Sequence, residues 1–138
     1  MKNVISIIMG VFLLVSISYS QSQLEMNQNA SSAYKASDKK LNEVYQKILK
    51  LYSKNDLFIK NLKTAQRIWL QYRDAQIEMK YPKRGEGYYG SILPMCKANY
   101  LEELTNIRVK QLEEWLNKPA EGDACGGTVG EFEVEDIK

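Results

Sequence analysis

A chain of 138 residues, 44% apolar and 10% aromatic, holds enough material for one domain with a real core, which excludes an intrinsically disordered polymer. Its formal charge of +2 conceals a split: residues 21–118 carry 17 Lys and Arg against 11 Asp and Glu (+6), while residues 119–138 carry one Lys against six acids (−5). There is no histidine, which removes the commonest general base and the commonest zinc ligand together.

The chain opens with Lys2, an uncharged stretch from Val4 to Ile17, and then Ser18, Tyr19 and Ser20 ahead of Gln21. A basic start, an apolar middle and small residues at the minus-three and minus-one positions define a secretory signal peptide over residues 1–20. The apolar stretch is shorter than the roughly 20 residues a membrane-crossing helix requires. Residues 21 onward are therefore expected to be exported, to the periplasm or the medium, with membrane contact only through the signal peptide. No cysteine stands at the cleavage site to carry a lipid.

From Leu24 to Leu51, Met26, Ala30, Tyr34, Leu41, Val44, Tyr45, Ile48 and Leu51 recur at the three-and-four spacing of an amphipathic helix. "SKND" at 53–56 interrupts the pattern, and Asn55 or Asp56 can accept the free N–H groups of a second helix. That helix is expected to reach Lys80 and to bury Leu62, Ala65, Trp69, Tyr72 and Met79, with Pro82 ending it. "PKRGEGYYGS" is a glycine-rich loop. Ser91 is placed as the cap of a third helix that has Pro94 in its first turn, runs along Leu101, Leu104, Ile107, Leu112 and Trp115, and stops near Asn117. The acidic, glycine-rich residues 119–138 are expected to be mobile. Three periodic helices with a short first link predict an all-α fold, a small antiparallel three-helix bundle over residues 21–118.

Little in the sequence assembles a reaction centre. Cys96 and Cys125 have no imidazole to activate a thiolate, so a disulfide, two free thiols or a bond to another chain are the readings left open. A third helix continuous from Cys96 would span roughly 31 Å, and the eight residues from Asn117 to Cys125 extend at most about 29 Å, so an internal bridge would be taut. The neighbouring acids Glu102 with Glu103 and Glu113 with Glu114 point about 100° apart on a helix and read as solvated faces. Neither a phosphate-cradling loop nor a nucleotide fingerprint is present. The reading is of a protein that is not an enzyme, with no cofactor, no metal and no nucleic-acid partner. Its basic residues are spread over three helices without a dense run, and solubility accounts for them.

Polar groups instead recur at the edges of the apolar stripes: Asp38, Asn42 and Tyr45 on the first helix, Gln66, Trp69 and Arg73 on the second, Thr105, Arg108 and Leu112 on the third. An arginine near a core must be paired, because it cannot shed its charge, and Asp38 and Asp74 are the natural partners of Arg73 and Arg108. The favoured reading is an interhelix network that fixes register, Tyr72 among its members, with Trp69 supplying buried area. A second candidate surface is the loop, through Lys83, Arg84, Tyr88, Tyr89 and Ser91.

"EMNQNASSAYKASDKKLNEVYQKIL", "LKTAQRIWLQYRDAQ", "GSILPM" and "LTNIRVKQL", in that order behind a signal peptide, resemble the lysozyme inhibitor LprI-like family over roughly residues 23–112. The resemblance implies an exported all-helical domain with a protein partner, lysozyme being the candidate, which it would bind and occlude. The family positions it carries over are Asp38, Leu41, Asn42, Tyr45, Gln66, Trp69, Tyr72, Arg73, Asp74, Gly90, Ser91, Thr105, Arg108 and Leu112. The resemblance also implies a departure: Asn29, Ile77 and Tyr100 stand where relatives often carry cysteines, so the family's usual bridge between the second and third helices is missing. The alternative is a non-inhibitory envelope-binding module that contacts peptidoglycan, lipid or protein through residues 82–91.

Overall fold

A computed structural model describes residues 2–119 and 121–132, with side chains from residue 22 onward. The expected signal peptide and its cleavage site thus lie outside the described side chains. Three helices carry the fold: α1 (Lys2–Leu51), α2 (Asp56–Lys80) and α3 (Leu93–Glu113). Single 3₁₀ turns at Gly90–Ile92 and Glu114–Leu116 lead into and out of α3. Among the described residues there is no strand, and no helix is long and apolar enough to cross a membrane. The protein is an all-α three-helix bundle.

The ends of α2 are set by local chemistry. Asn55 accepts the Phe58 N–H on its side chain at 2.9 Å, satisfying a donor the helix leaves free. At the other end Tyr81 precedes Pro82 and leaves helical geometry at φ −128°, ψ 65°. The start of α3 differs from expectation: its cap is Ile92, without a side-chain hydrogen bond, and the Ser91 carbonyl instead accepts from Asn27 Nδ2 at 3.0 Å. The start of α1 differs too, since Gln21, Ser22 and Gln23 offer no proline or glycine to stop a helix before Leu24.

α1 and α3 run parallel: Asn27 meets Ser91 near one end, and the Tyr52 hydroxyl donates to the Trp115 carbonyl (3.0 Å) at the other. Nearly all close helix approaches are between these two. Their buried residues fall on Ala30, Ser37, Leu41, Val44 and Ile48 of α1 and on Ala98, Thr105, Val109 and Leu112 of α3, the alternating three-and-four spacing of a shallow crossing. α2 stands further off and buries Phe58, Leu62, Gln66 and Ile77. Its buried line is rotated from the expected one. Leu62 is buried, but Ala65, Tyr72 and Met79 are exposed, because Gln66 and Arg73 occupy the inward positions that residue type alone would have given to apolar side chains. On α3, likewise, Ile107 is half exposed and Val109 is buried in its stead.

The base of the bundle, where α1 turns into α2, is closed by rings. Tyr52, 1% exposed, stacks on Phe58 with centroids 4.0 Å apart and meets Trp115 and Phe132 edge-on at 6.5 and 5.4 Å. Phe132 comes from the segment expected to be mobile. In the described residues 121–132 that segment forms successive turns, and its Gly130 N–H donates to the Tyr52 hydroxyl at 2.8 Å. Gly130 has φ +76°, and a Cβ there would lie 2.6 Å from Pro119 Cδ, so no larger residue fits. The remainder of the acidic tail lies outside the described residues.

Candidate functional site

Two clusters hold the residues singled out in the sequence. The first fills the gap between α2 and the α1/α3 pair. Arg73, whose side chain is 14% exposed, reaches Asp38 of α1 at 3.7 Å and its neighbour Asp74 at 3.0 Å. Asn42 donates to the Asp38 carbonyl at 3.0 Å, steadying the helical turn that presents the carboxylate. Arg108 of α3 donates from Nε to Gln66 of α2 (3.1 Å) and from Nη1 to Gln111 (3.3 Å). Trp69 lies between the two arginines, with guanidinium carbons 5.5 Å (Arg73) and 5.9 Å (Arg108) from its ring, a spacing at which the ring quadrupole attracts both cations.

Burial shows in the titration of these groups. It lowers the Arg108 pKa from its ordinary value, though a guanidinium stays charged at any ordinary pH. It raises the Tyr34 phenol, with Arg73 opposing and Asp38 and Asp74 adding to the rise. Tyr45 is raised by burial alone where it packs against the core.

Two candidate residues stand apart. Tyr72 is 52% exposed and makes no part of the cluster, because its position on α2 points away from both other helices. Thr105 is fully buried on the α3 seam, and its hydroxyl has no hydrogen-bond partner among the described residues. Three partners were not anticipated: Gln111, Gln76 and Tyr100. The Tyr100 hydroxyl donates to Gln76 at 3.1 Å, and the Lys80 ammonium sits 3.7 Å from the Tyr100 ring centroid.

The second cluster is the α2–α3 loop at the end of the bundle away from the aromatic base. Gly87 (φ +74°) and Gly90 (φ +66°) take left-handed conformations that let the Tyr88 N–H bond the Gly85 carbonyl (3.2 Å) and the Gly90 N–H bond the Gly87 carbonyl (3.0 Å). Tyr89 donates to the Pro82 carbonyl at 3.0 Å and meets Tyr81 and Tyr88 edge-on at 6.0 and 4.8 Å. Tyr88 is 68% exposed, with the Arg84 guanidinium 5.8 Å from its ring. Lys83, Arg84 and Ser91 are exposed. The loop is thus a set of turns locked by its own tyrosines.

Cys96 and Cys125 are both free thiols. Cys96 lies in the first turn of α3, whereas the turns around Cys125 pack on Pro119 beyond the other end of that helix. The length of α3 keeps the two apart.

The sequence profile of the family described as Lysozyme inhibitor LprI matches residues 16–112. The chain belongs to the LprI lysozyme-inhibitor family. It is also similar to the uncharacterized protein R02472 of Rhizobium meliloti (strain 1021), 33% identical over an alignment of 107 positions that covers 69% of this chain and 74% of that one. No solved structure matches. The LprI match spans all of α2 and the loop and most of α3, but stops short of Trp115, Gly130 and Phe132. The aromatic base is therefore completed by residues outside the matched region. Within it, Tyr100 ties α2 to α3 through Gln76 and Lys80, close to where the resemblance implies a missing covalent bridge.

Proposed function

We propose that this chain is an exported lysozyme-inhibitor-like protein, not an enzyme, that binds a muramidase and occludes its cleft. The observation that carries the reading is membership of the LprI family over residues 16–112. The contact surface we assign is the α2–α3 loop. A glycoside hydrolase presents two carboxyl groups across the scissile bond, so a stiff loop that offers Lys83, Arg84 and an exposed Tyr88 is chemically complementary to such a cleft. Stiffness matters because a loop already held in shape loses less entropy on docking. The Asp38, Arg73, Trp69 and Arg108 cluster serves the fold instead: Arg73 faces Asp38, Arg108 faces Gln66, both lie against the indole, and they hold α2 at the orientation that sets the loop.

Hydrolysis of cell walls by a lysozyme, titrated with the chain lacking residues 1–20, tests this. Activity should fall in proportion to added protein in the micromolar range. Reversing the loop charges, Lys83→Glu with Arg84→Glu, should weaken inhibition at least about tenfold. Undiminished hydrolysis at micromolar excess would remove the proposal, and inhibition that survives the reversal would remove the loop from it.

A further inference from the structure

Beneath the loop lies a hollow of about 370 Å³, large enough for a small organic ligand. Tyr81, Tyr88 and Tyr89 line it together with three cations, Lys83, Arg84 and Lys97, and a single acid, Glu78. Glu78 comes from α2, and Glu86, the acid of the loop itself, does not line the hollow. None of the three cations is ion-paired among the described residues, although the protein pairs basic groups elsewhere, as in Lys40 with Glu113 (3.0 Å) and Arg73 with Asp74. Lys80 is engaged differently, over the ring of Tyr100.

An excess of unpaired positive charge inside a concave wall focuses potential on whatever enters it. The walls are not those of a bare anion trap. Three phenol rings edge the space, and ring faces suit the apolar C–H face of a sugar, leaving its hydroxyls at the rim. Arg84 and Lys97 come from different segments, so a carboxylate can be approached from two sides at once. The hollow is also pre-formed: Tyr89 is tied to Pro82, Tyr81 reaches the Cys96 carbonyl at 3.5 Å, and Asn27 of α1 fastens Ser91.

We infer that the hollow between Tyr81, Tyr88, Tyr89 and the cations Lys83, Arg84 and Lys97 is a binding site for a carboxylated sugar ring, in which the rings take the sugar face and the cations its carboxylate. The site shares Lys83, Arg84 and Tyr88 with the proposed muramidase contact, but it concerns a small ligand and includes Lys97, a residue of α3 outside that contact.

N-acetylmuramic acid and N-acetylglucosamine form a matched pair of probes, sharing a ring and differing by a lactyl carboxylate. Titrated into the isotopically labelled chain, the acid should move the amide signals of Gly85, Gly87 and Gly90 and the ring signals of the three tyrosines, saturating with a dissociation constant of about 1 mM. The neutral sugar should bind at least about tenfold more weakly. Lys97→Glu should abolish the shifts and Lys97→Arg should keep them, with the rest of the spectrum and the melting temperature of each variant showing that it folds. Equal responses to the two sugars, an equal response to inorganic phosphate, or silence at saturating acid would each overturn the inference. The lysozyme titration with Lys97→Glu separates the two proposals: inhibition should persist in a variant that has lost the sugar.

Discussion

Where α1 meets α3, the residues in contact are Ala30, Ser37, Leu41, Val44 and Ile48 against Ala98, Thr105, Val109 and Leu112. Where α2 meets that pair, Phe58 and Leu62 join the apolar core near the base, and beyond them Gln66, Trp69, Arg73 and Gln76 face Asp38, Tyr100 and Arg108. The first interface is short-chained and almost wholly apolar, so its backbones lie close and its stability comes from water excluded. The second spans a wider gap with long side chains that are individually weaker holders, since half-exposed ion pairs and cation–ring contacts contribute roughly 0.5–1 kcal/mol each. The bundle is thus a tight pair of rods with a third one strapped on, and the strapped rod is the one that carries the loop.

The largest effect should come from the seam. Ile48, fully buried, replaced by alanine should cost about 2–5 kcal/mol in chemical denaturation, with unfolding still in one transition. A second transition would show that the seam is not what makes the molecule cooperative. Trp69→Ala should cost less, about 2 kcal/mol, because the ring is only half buried, but it removes the surface both arginines share. Its distinctive mark should be faster amide exchange in α2 than in α1 or α3. Uniform acceleration across all three helices would break the distinction between the two interfaces.

Alkaline pH should destabilise both regions. Burial, the largest cause in each case, raises the phenols of Tyr34, Tyr45 and Tyr52 above their ordinary value. The folded chain then holds its phenolic protons more tightly than the unfolded one, so this stability is complete below about pH 10 and is lost as pH rises through the folded values. Melting temperature followed alongside tyrosinate absorbance should stay flat to that point and then fall. The smallest effect should be Thr105→Val. It removes a buried hydroxyl that lacks a partner, and stability should be unchanged or higher by up to about 1 kcal/mol. A loss above that would reveal a bond made by this hydroxyl.

The seam was the part most legible in the sequence, because apolar residues at three-and-four spacing are both the signal and the physical cause of burial. Leu41, Val44, Ile48 and Leu112 were read directly from it. The strapped interface was legible only in its pairs: Arg73 with Asp38 and Asp74 follows from the rule that a guanidinium near a core needs a partner, whereas its geometry does not. Reading α2 by residue type put Ala65, Tyr72 and Met79 inside, because periodicity takes apolar for inward and cannot see Gln66 and Arg73 claiming that face. Arg108 turned out to hold Gln66 and Gln111, not an aspartate, since a neutral carbonyl suffices at half-buried depth. Composition reads the tail through its glycine and acid and does not weigh Phe132. A single ring that finds an aromatic shelf, with Gly130 able to turn against Pro119, fastens a segment that its average hydropathy would leave free.

The bond from Gly130 to the Tyr52 hydroxyl has a practical corollary. It places Gly130 and its neighbours beside the α1–α2 turn, while the loop lies at the far end of α2, about 37 Å off at helical rise. A surface, dye or bead coupled at the exposed Glu131, beside that bond, would therefore hold the protein with its tyrosines and cations facing outward. Coupling ahead of Asn27, which touches Ser91, would press the same features against the support.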